Sequence, residues 1–219
     1  MTSAAEKSTA EHLIDVAGEI FADKGVAATV REICGRAGCS VAAINYHFGD
    51  KQQLYQRCVQ VACESKQRLF PLPQRDPNAP PEQYLQSYLR AITSRIAGKG
   101  DLSWHNTLML REILSSSEAT QELLQNYLRR DFASLDAHLG VLLGPELNST
   151  AVRIELATQI VARCMFLRTG AQMRKMLGIS QSTNEDAERY ADEICQSVLL
   201  QISALRHQRG LRGEVLDKS

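Results

Sequence analysis

The sequence predicts an all-α fold. Three observations carry this. Apolar residues recur every three or four positions over most of the chain, proline is concentrated in one short stretch, and no run alternates apolar and polar residues as a strand would. The chain has 219 residues, 44% hydrophobic and 23% charged, which is ordinary for a globular protein. Lys plus Arg and Asp plus Glu number 25 each, so the formal net charge is +0. That balance excludes a basic tail protein and an acidic disordered one. Nucleic-acid binding stays open, because it needs only a local patch.

The first helix is expected from about Thr9 to Asp23, with Leu13, Val16, Ala17, Ile20 and Phe21 inward. Gly25, after Lys24, suits a left-handed C-cap. Thr29-Val30-Arg31-Glu32 is a capping box that opens a second helix, with Ile33 and Ala37 inward. Gly38-Cys39 makes the next turn, and Ser40 caps a short third helix, Val41 to Phe48. Gly49-Asp50 breaks it, with Asp50 as the N-cap of a fourth helix from Lys51. Five of the six prolines then fall between Phe70 and Pro81. A proline in a helix interior loses a hydrogen bond and clashes with the preceding turn, so this stretch is a break.

Beyond it, Tyr84, Leu85, Tyr88, Leu89, Ile92 and Ile96 form one helical stripe. Leu123 to Leu139 forms another, stopped by Gly144-Pro145. Leu156, Ile160, Val161, Cys164 and Leu167 make a third, and Ala187 to Leu205 a fourth. The expected organisation is a domain over 1–70, with the fourth helix over 51–70, a proline-rich linker over 71–81, a helical domain over 82–207 and a flexible tail over 208–219. The last two long helices suit a four-helix bundle across a two-fold axis. Leu156, Ile160, Cys164, Ile194, Val198 and Ile202 are the expected interface between two copies.

Chemistry is sparse. His12, His105, His138 and His207 are isolated, with no His-x-x-x-His and no Glu-x-x-His, so no metal site is predicted. No P-loop or Gly-x-Gly-x-x-Gly is present, and no nucleophile and base stand at a helical spacing. The expectation is therefore no catalytic residue and no cofactor. The six cysteines include no Cys-x-x-Cys, and Cys34/Cys39 and Cys58/Cys63 are each five apart. They read as structural thiols, with redox sensing as the alternative. No apolar run approaches the roughly 18 residues of a membrane span, so a cytoplasmic protein without a membrane partner is expected.

Two short helices joined by a tight glycine turn and braced by longer helices are a helix-turn-helix unit. Small Ala42 and Ala43 let the third helix enter a groove about 12 Å wide. The Ser40 hydroxyl and the open helix N-terminus favour phosphate. The spaced pattern Thr29, Ile33, Ala37-Gly38, Ser40, Tyr46-His47-Phe48, Lys51 and Leu54 resembles the DNA-binding domain of the TetR/AcrR family of transcriptional regulators. Arg111-Glu112-Ile113-Leu114 and its surroundings are similar to a CecR-like subgroup.

The resemblance implies a two-domain helical homodimer that reads a double-stranded operator and answers a small-molecule effector. It implies phosphate contacts at Thr29, Tyr46, His47 and Lys51, and a contact to phosphate or base from Arg31. Val41, Ala42, Ala43 and Asn45 would present the recognition surface, with Phe48 in the core. Many members have tyrosine where this chain has Asn45, and asparagine can pair with adenine through two hydrogen bonds. Residues 1–60 carry Lys7, Lys24, Arg31, Arg36, Lys51 and Arg57 against seven acids, so few, well-placed contacts are expected rather than a broad basic face. Expected effector contacts are Trp104, His105, Met109, Glu112, Tyr127, Met165, Phe166 and Arg168. The rival readings are a helical protein-interaction or small-molecule-binding protein with a degenerate helix-turn-helix, and a helical enzyme.

Overall fold

The computed structural model describes residues 2–97, 103–115, 117–178 and 186–216. Among these the fold is all-α. In chain order the helices are α1 (Thr2–Lys24), α2 (Val30–Ala37), α3 (Val41–Phe48), α4 (Lys51–Leu69), α5 (Pro81–Ala97), α6 (Ser103–Leu114), α7 (Gln121–Leu147), α8 (Thr150–Thr169), α9 (Ala171–Met176) and α10 (Asp186–Leu216). The breaks fall where the sequence places them. Gly25, Gly38 and Gly49 all take positive φ. In α7 the regular geometry is interrupted at Gly144 (φ 69°), just before Pro145. Residues expected in a flexible tail are helical through Leu216. No proline interrupts that stretch, and a glycine in a helix costs only about 1 kcal/mol. Residues 217–219 lie outside the described ones.

The chain forms two compact units, Met1–Leu69 with Gly100–Leu128, and Phe70–Lys99 with Arg129–Ser219. In the first unit, α2 and α3 sit against a core that contains Leu13, Ala17, Phe21, Ile33, Ile44, Leu54, Cys58 and Val59. The Phe21 ring meets Tyr55 edge-on at 4.8 Å. The sequence expectation places α6 in the second domain, yet α6 packs on α1 and α4 within this unit. Its Trp104, Leu108 and Met109 belong to the first core. Periodicity shows that such a stripe is buried, not what it is buried against.

In the second unit, α5, α8, α10 and most of α7 surround a core that contains Leu85, Leu89, Leu139, Leu143, Leu156, Ile160, Ile194 and Val198. A buried ion pair, Arg95 Nη1 to Asp131 Oδ2 at 2.7 Å, ties α5 to α7. Arg95 also donates from Nε to the Phe70 carbonyl at 2.7 Å. Leu156, Ile160, Cys164, Ile194, Val198 and Ile202, expected on a surface between copies, lie instead in the interior of this unit. Each is at most 3% exposed within the single chain. Their apolar stripe is consumed by packing among the helices of one unit.

Candidate nucleic-acid interface

The helix-turn-helix is built by local chemistry. Thr29 Oγ1 accepts from the Glu32 amide at 3.2 Å, and Glu32 Oε2 accepts from the Thr29 amide at 2.8 Å. This reciprocal cap fixes the start of α2. Lys24 Nζ reaches Glu32 Oε1 at 2.5 Å. The Lys24 ammonium first, with the Thr29 bonds, holds the Glu32 carboxyl down at about 2. A second ion pair, Arg36 with Glu19, also joins α2 to α1. These pairs satisfy two of the acids in the near-neutral N-terminal charge balance, and use two of its cations in doing so.

At the far end of α2, Gly38 adopts φ 65°, ψ 31°, a left-handed conformation that costs a non-glycine residue strain. The chain then turns into α3, where Ser40 Oγ accepts from the Ala43 amide at 3.3 Å. Ile44 is buried in the first core, and Phe48 packs against that core partly buried. The opposite side of α3 is therefore presented outward. Val41, Ala42, Asn45 and Tyr46 are all exposed, Tyr46 by 75%. Ala43 and His47 flank that face, each half-buried. The Tyr46 and His47 rings meet edge-on at 5.0 Å.

Lys51 stands at the start of α4, and its Nζ donates to the Val26 carbonyl at 2.8 Å and the Ala28 carbonyl at 3.0 Å. An ammonium has three donors, so two brace the loop before α2 and the third remains for an outside acceptor. Thr29 is engaged more fully. Its hydroxyl also donates to Glu32 Oε2 at 2.9 Å, so a phosphate would have to displace a carboxylate. Arg31 is exposed on the first turn of α2. Sequence reasoning did not single out the open cleft of about 350 Å³ beside α3, lined by His47, Phe48, Gln53, Gln56, Arg57 and Gln60. The i, i+4 pairs Gln53/Arg57 and Gln56/Gln60 on α4 are the signal that could have found it.

The residues expected to touch an effector are divided between the units. Trp104, His105, Met109, Glu112 and Tyr127 fall in the first, and Met165, Phe166 and Arg168 in the second. In the first unit they are packing groups. The Trp104 ring stacks on His105 at 3.7 Å, and Met109 Sδ receives the Cys63 thiol at 3.4 Å. Glu112 is 1% exposed. It accepts from Tyr55 Oη at 2.5 Å, from the Thr120 hydroxyl and from the Ser117 amide at 3.4 Å. Burial and that carboxylate push the Tyr55 phenol up. In the second unit Phe166 is exposed and Arg168 is held below its ordinary value by desolvation. Among the described residues no cluster of three His, Cys, Asp or Glu side chains could hold a metal. No described helix is long and apolar enough to cross a membrane.

Comparison with known proteins fits this geometry. Residues 13–58 match the family model described as bacterial regulatory proteins, tetR family. Residues 81–204, more than half of the chain, match the model for the C-terminal domain of the HTH-type transcriptional dual regulator CecR. The chain is similar to the HTH-type transcriptional dual regulator CecR of Shigella flexneri, with 28% identity over 179 residues, 73% of this chain and 79% of that protein. Its fold is like that of a transcriptional regulator from Rhodococcus sp. Rha1, with a TM-score of 0.62 and 20% identity over 88% of this chain and 96% of that one. It is also like that of the flavonoid-responsive regulator FrrA, with a TM-score of 0.56 and 19% identity over 89% of this chain and 97% of that one.

Proposed function

Because the chain belongs to the TetR family of bacterial regulatory proteins, we propose that it is a ligand-responsive repressor that reads a palindromic operator as a homodimer in the cytoplasm. Within the family we place it in a CecR-like subgroup, on the match over residues 81–204. The observation that carries the DNA-reading role is the outward face of α3. Val41, Ala42, Asn45 and Tyr46 are exposed on a helix whose other face is locked into the core by Ile44 and Phe48. A short helix held that way can lie in a major groove without rearranging.

The roles follow from side-chain chemistry. Val41 and Ala42 give a small apolar surface for thymine methyl groups, and Asn45 offers the amide that pairs with adenine. Ala43 keeps the flank of the helix narrow. Tyr46, His47 and the third Lys51 donor address phosphates on either side of the groove, with Arg31 beside them. The Ser40 hydroxyl accepts its cap bond yet keeps its own hydrogen for a phosphate oxygen. Thr29 acts mainly through the capping box that sets α2. A small-molecule effector releases the operator by binding one arrangement of the dimer better than the other, since only differential affinity shifts an equilibrium. The residues that touch it are sought first around Met165, Phe166 and Arg168, where desolvated cation and exposed aromatic ring lie on one helix end.

Selection of bound duplexes from a random library, repeated at two salt concentrations, tests this. A palindromic motif is expected. Two cations per protomer, Arg31 and Lys51, give a log–log salt slope of about −4. Ala42→Glu, which sets a carboxylate on the exposed face, should abolish enrichment while leaving the helical circular dichroism unchanged. Retained binding in that variant would overturn the assignment of this face.

A further inference from the structure

All six cysteines are free thiols, and five are buried. Cys58 Sγ is directed at the Ile14 carbonyl at 3.6 Å and Cys63 Sγ at Met109 Sδ at 3.4 Å. Burial raises the Cys164 thiol to about 12 and the Cys195 thiol to about 11. These four are interior packing groups. Cys39 differs, because it is the one cysteine that is not buried and because the turn that holds it also holds Cys34.

The backbone explains the juxtaposition. The Cys39 amide donates to the Cys34 carbonyl at 3.1 Å, closing a six-residue loop through left-handed Gly38. This is the Schellman form of helix ending, which brings the side chains of its first and last residues into contact. That contact is ordinarily between two apolar groups. Here both positions are cysteines, Cys34 in the first core and Cys39 packed partly buried against that core. The same turn delivers the chain to Ser40, which caps α3.

We propose that Cys34 and Cys39 form a dithiol that hydrogen peroxide converts into an intramolecular disulfide, a modification site inside the helix-turn-helix turn that weakens operator binding. The loss of binding rests on the DNA-reading role proposed above; the disulfide does not. The solvent-reaching Cys39 thiolate attacks the peroxide, its S–O bond forming as the O–O bond breaks. Hydroxide leaves and takes a proton to become water. Cys34 then gives up its proton and attacks the sulfenic sulfur, the S–S bond forms, and the hydroxyl leaves as a second water. The two thiols lose two electrons and the peroxide gains them. Burial and the Cys34 neighbour hold the Cys39 thiol above its ordinary value, so the reaction is slow at neutral pH and answers sustained exposure. Bonding draws the sulfurs to about 2.05 Å. The strain falls on Cys39 and its neighbour Ser40, and so on the aim of α3.

Trypsin separates the two thiols, because it cuts after Arg31, Arg36 and Lys51. Reduced full-length protein is exposed to hydrogen peroxide, alkylated and digested without reductant. The expected result is a single species joining residues 32–36 to 37–51, two hydrogens lighter than the free peptides together, which dithiothreitol splits. Separate alkylated peptides after peroxide would overturn the proposal, and so would Cys39 oxidised to a sulfinic acid with Cys34 still free. Cys34 is core, so the variant that carries the comparison is Cys39→Ser, which should give no linked species. Oxidised wild-type protein should bind its selected operator about tenfold more weakly, recover with dithiothreitol, and leave Cys39→Ser insensitive. A linked peptide with unchanged operator affinity overturns the functional half. Reduced protein that binds no DNA at all would refute the DNA-reading role while the peptide result still decides the disulfide.

Discussion

The family resemblance implies a phosphate contact at Lys51, and in the structure its ammonium bridges two carbonyls, of Val26 and Ala28, ahead of α2. Lys51→Met keeps the aliphatic stem and deletes the donors. It should weaken operator binding and also lower the unfolding free energy by about 1–2 kcal/mol, since hydrogen bonds to charged groups are the stronger kind. Urea denaturation separates that from a pure DNA contact, which would leave stability unchanged. His138 is the titrating counterpart in the second unit. Its Nε2 lies 2.7 Å from the Pro81 carbonyl, which can only accept, so this nitrogen carries the proton. Nδ1 is buried without a hydrogen-bond partner. Burial first, and the Arg75 charge, lower its pKa against the opposing pull of the Pro81 bond and Glu82. The unfolded chain therefore binds the proton near pH 6.5 while the folded chain still resists it. Stability contributed by neutral His138 is full above that pH and is lost as pH falls below it. His138→Gln keeps a donor to Pro81 and removes the titration. The wild-type urea midpoint should fall more than the variant's between pH 7.5 and 5.5; equal shifts would show that His138 is not the group responsible.

Among the helices, the join of α1 to α6 rests on a missing side chain. A Cβ built at Gly18 would stand 2.6 Å from the Trp104 ring. Glycine inside a helix ordinarily costs roughly 0.5–1 kcal/mol relative to alanine, so Gly18→Ala would stabilise an isolated α1. Here the indole cannot yield without disturbing its stack on His105, and overpacking costs about 1–3 kcal/mol. The steric cost exceeds the gain in helix propensity, and thermal unfolding should show Gly18→Ala destabilised by about 1–2 kcal/mol. A neutral result would mean that α6 can slide. Arg111 adds to the same join by donating to the Ala22 and Asp23 carbonyls at the end of α1. This join also marks how far the sequence can be read. The Thr29–Glu32 box, the Gly38 turn, the Ser40 cap and the Gly144-Pro145 stop are all encoded within a few residues, and each stands where the sequence puts it. The Trp104, Leu108 and Met109 stripe specifies burial alone. Its partner is chosen by shape, by a glycine on α1 some eighty residues earlier in the chain. The outward face of α3 was legible through the family resemblance, which put Phe48 in the core; that Ile44 anchors the same inner side is seen only in the structure. The commitment of Lys51 and Thr29 to backbone and capping bonds was not legible, because those partners are set by the tertiary approach of neighbouring segments.

For the whole molecule, reading a palindrome requires two recognition helices held at a fixed spacing, and hence a stable interface between copies. A buried helical stripe looks the same in sequence whether it faces another helix of the same chain or a second chain. This is why the six residues first expected at that interface turn out to be interior. The surfaces left for a partner are the outer sides of the same helices. On α8, Ile154 and Val161 are exposed two turns apart. On α10, Leu200 is 72% exposed, flanked by exposed Ser197, Ser203 and Ala204. Small residues around a single leucine allow two helices to approach closely, with the leucine as the knob. Scattered exposed apolar residues are common on monomers, so the interface must be tested where interior and surface predict opposite things. Leu200→Asp changes a side chain that touches little within its own chain. It should leave the denaturation midpoint of each unit within about 0.5 kcal/mol in free energy, convert the protein to monomer in sedimentation equilibrium, and cut operator affinity about a hundredfold through lost avidity. Val198→Asp, one helical half-turn away, sets a carboxylate in the core and should unfold the second unit instead. If Leu200→Asp sediments as a stable dimer, the two-fold contact lies on another face, and the spacing of the two recognition helices must be derived from that face.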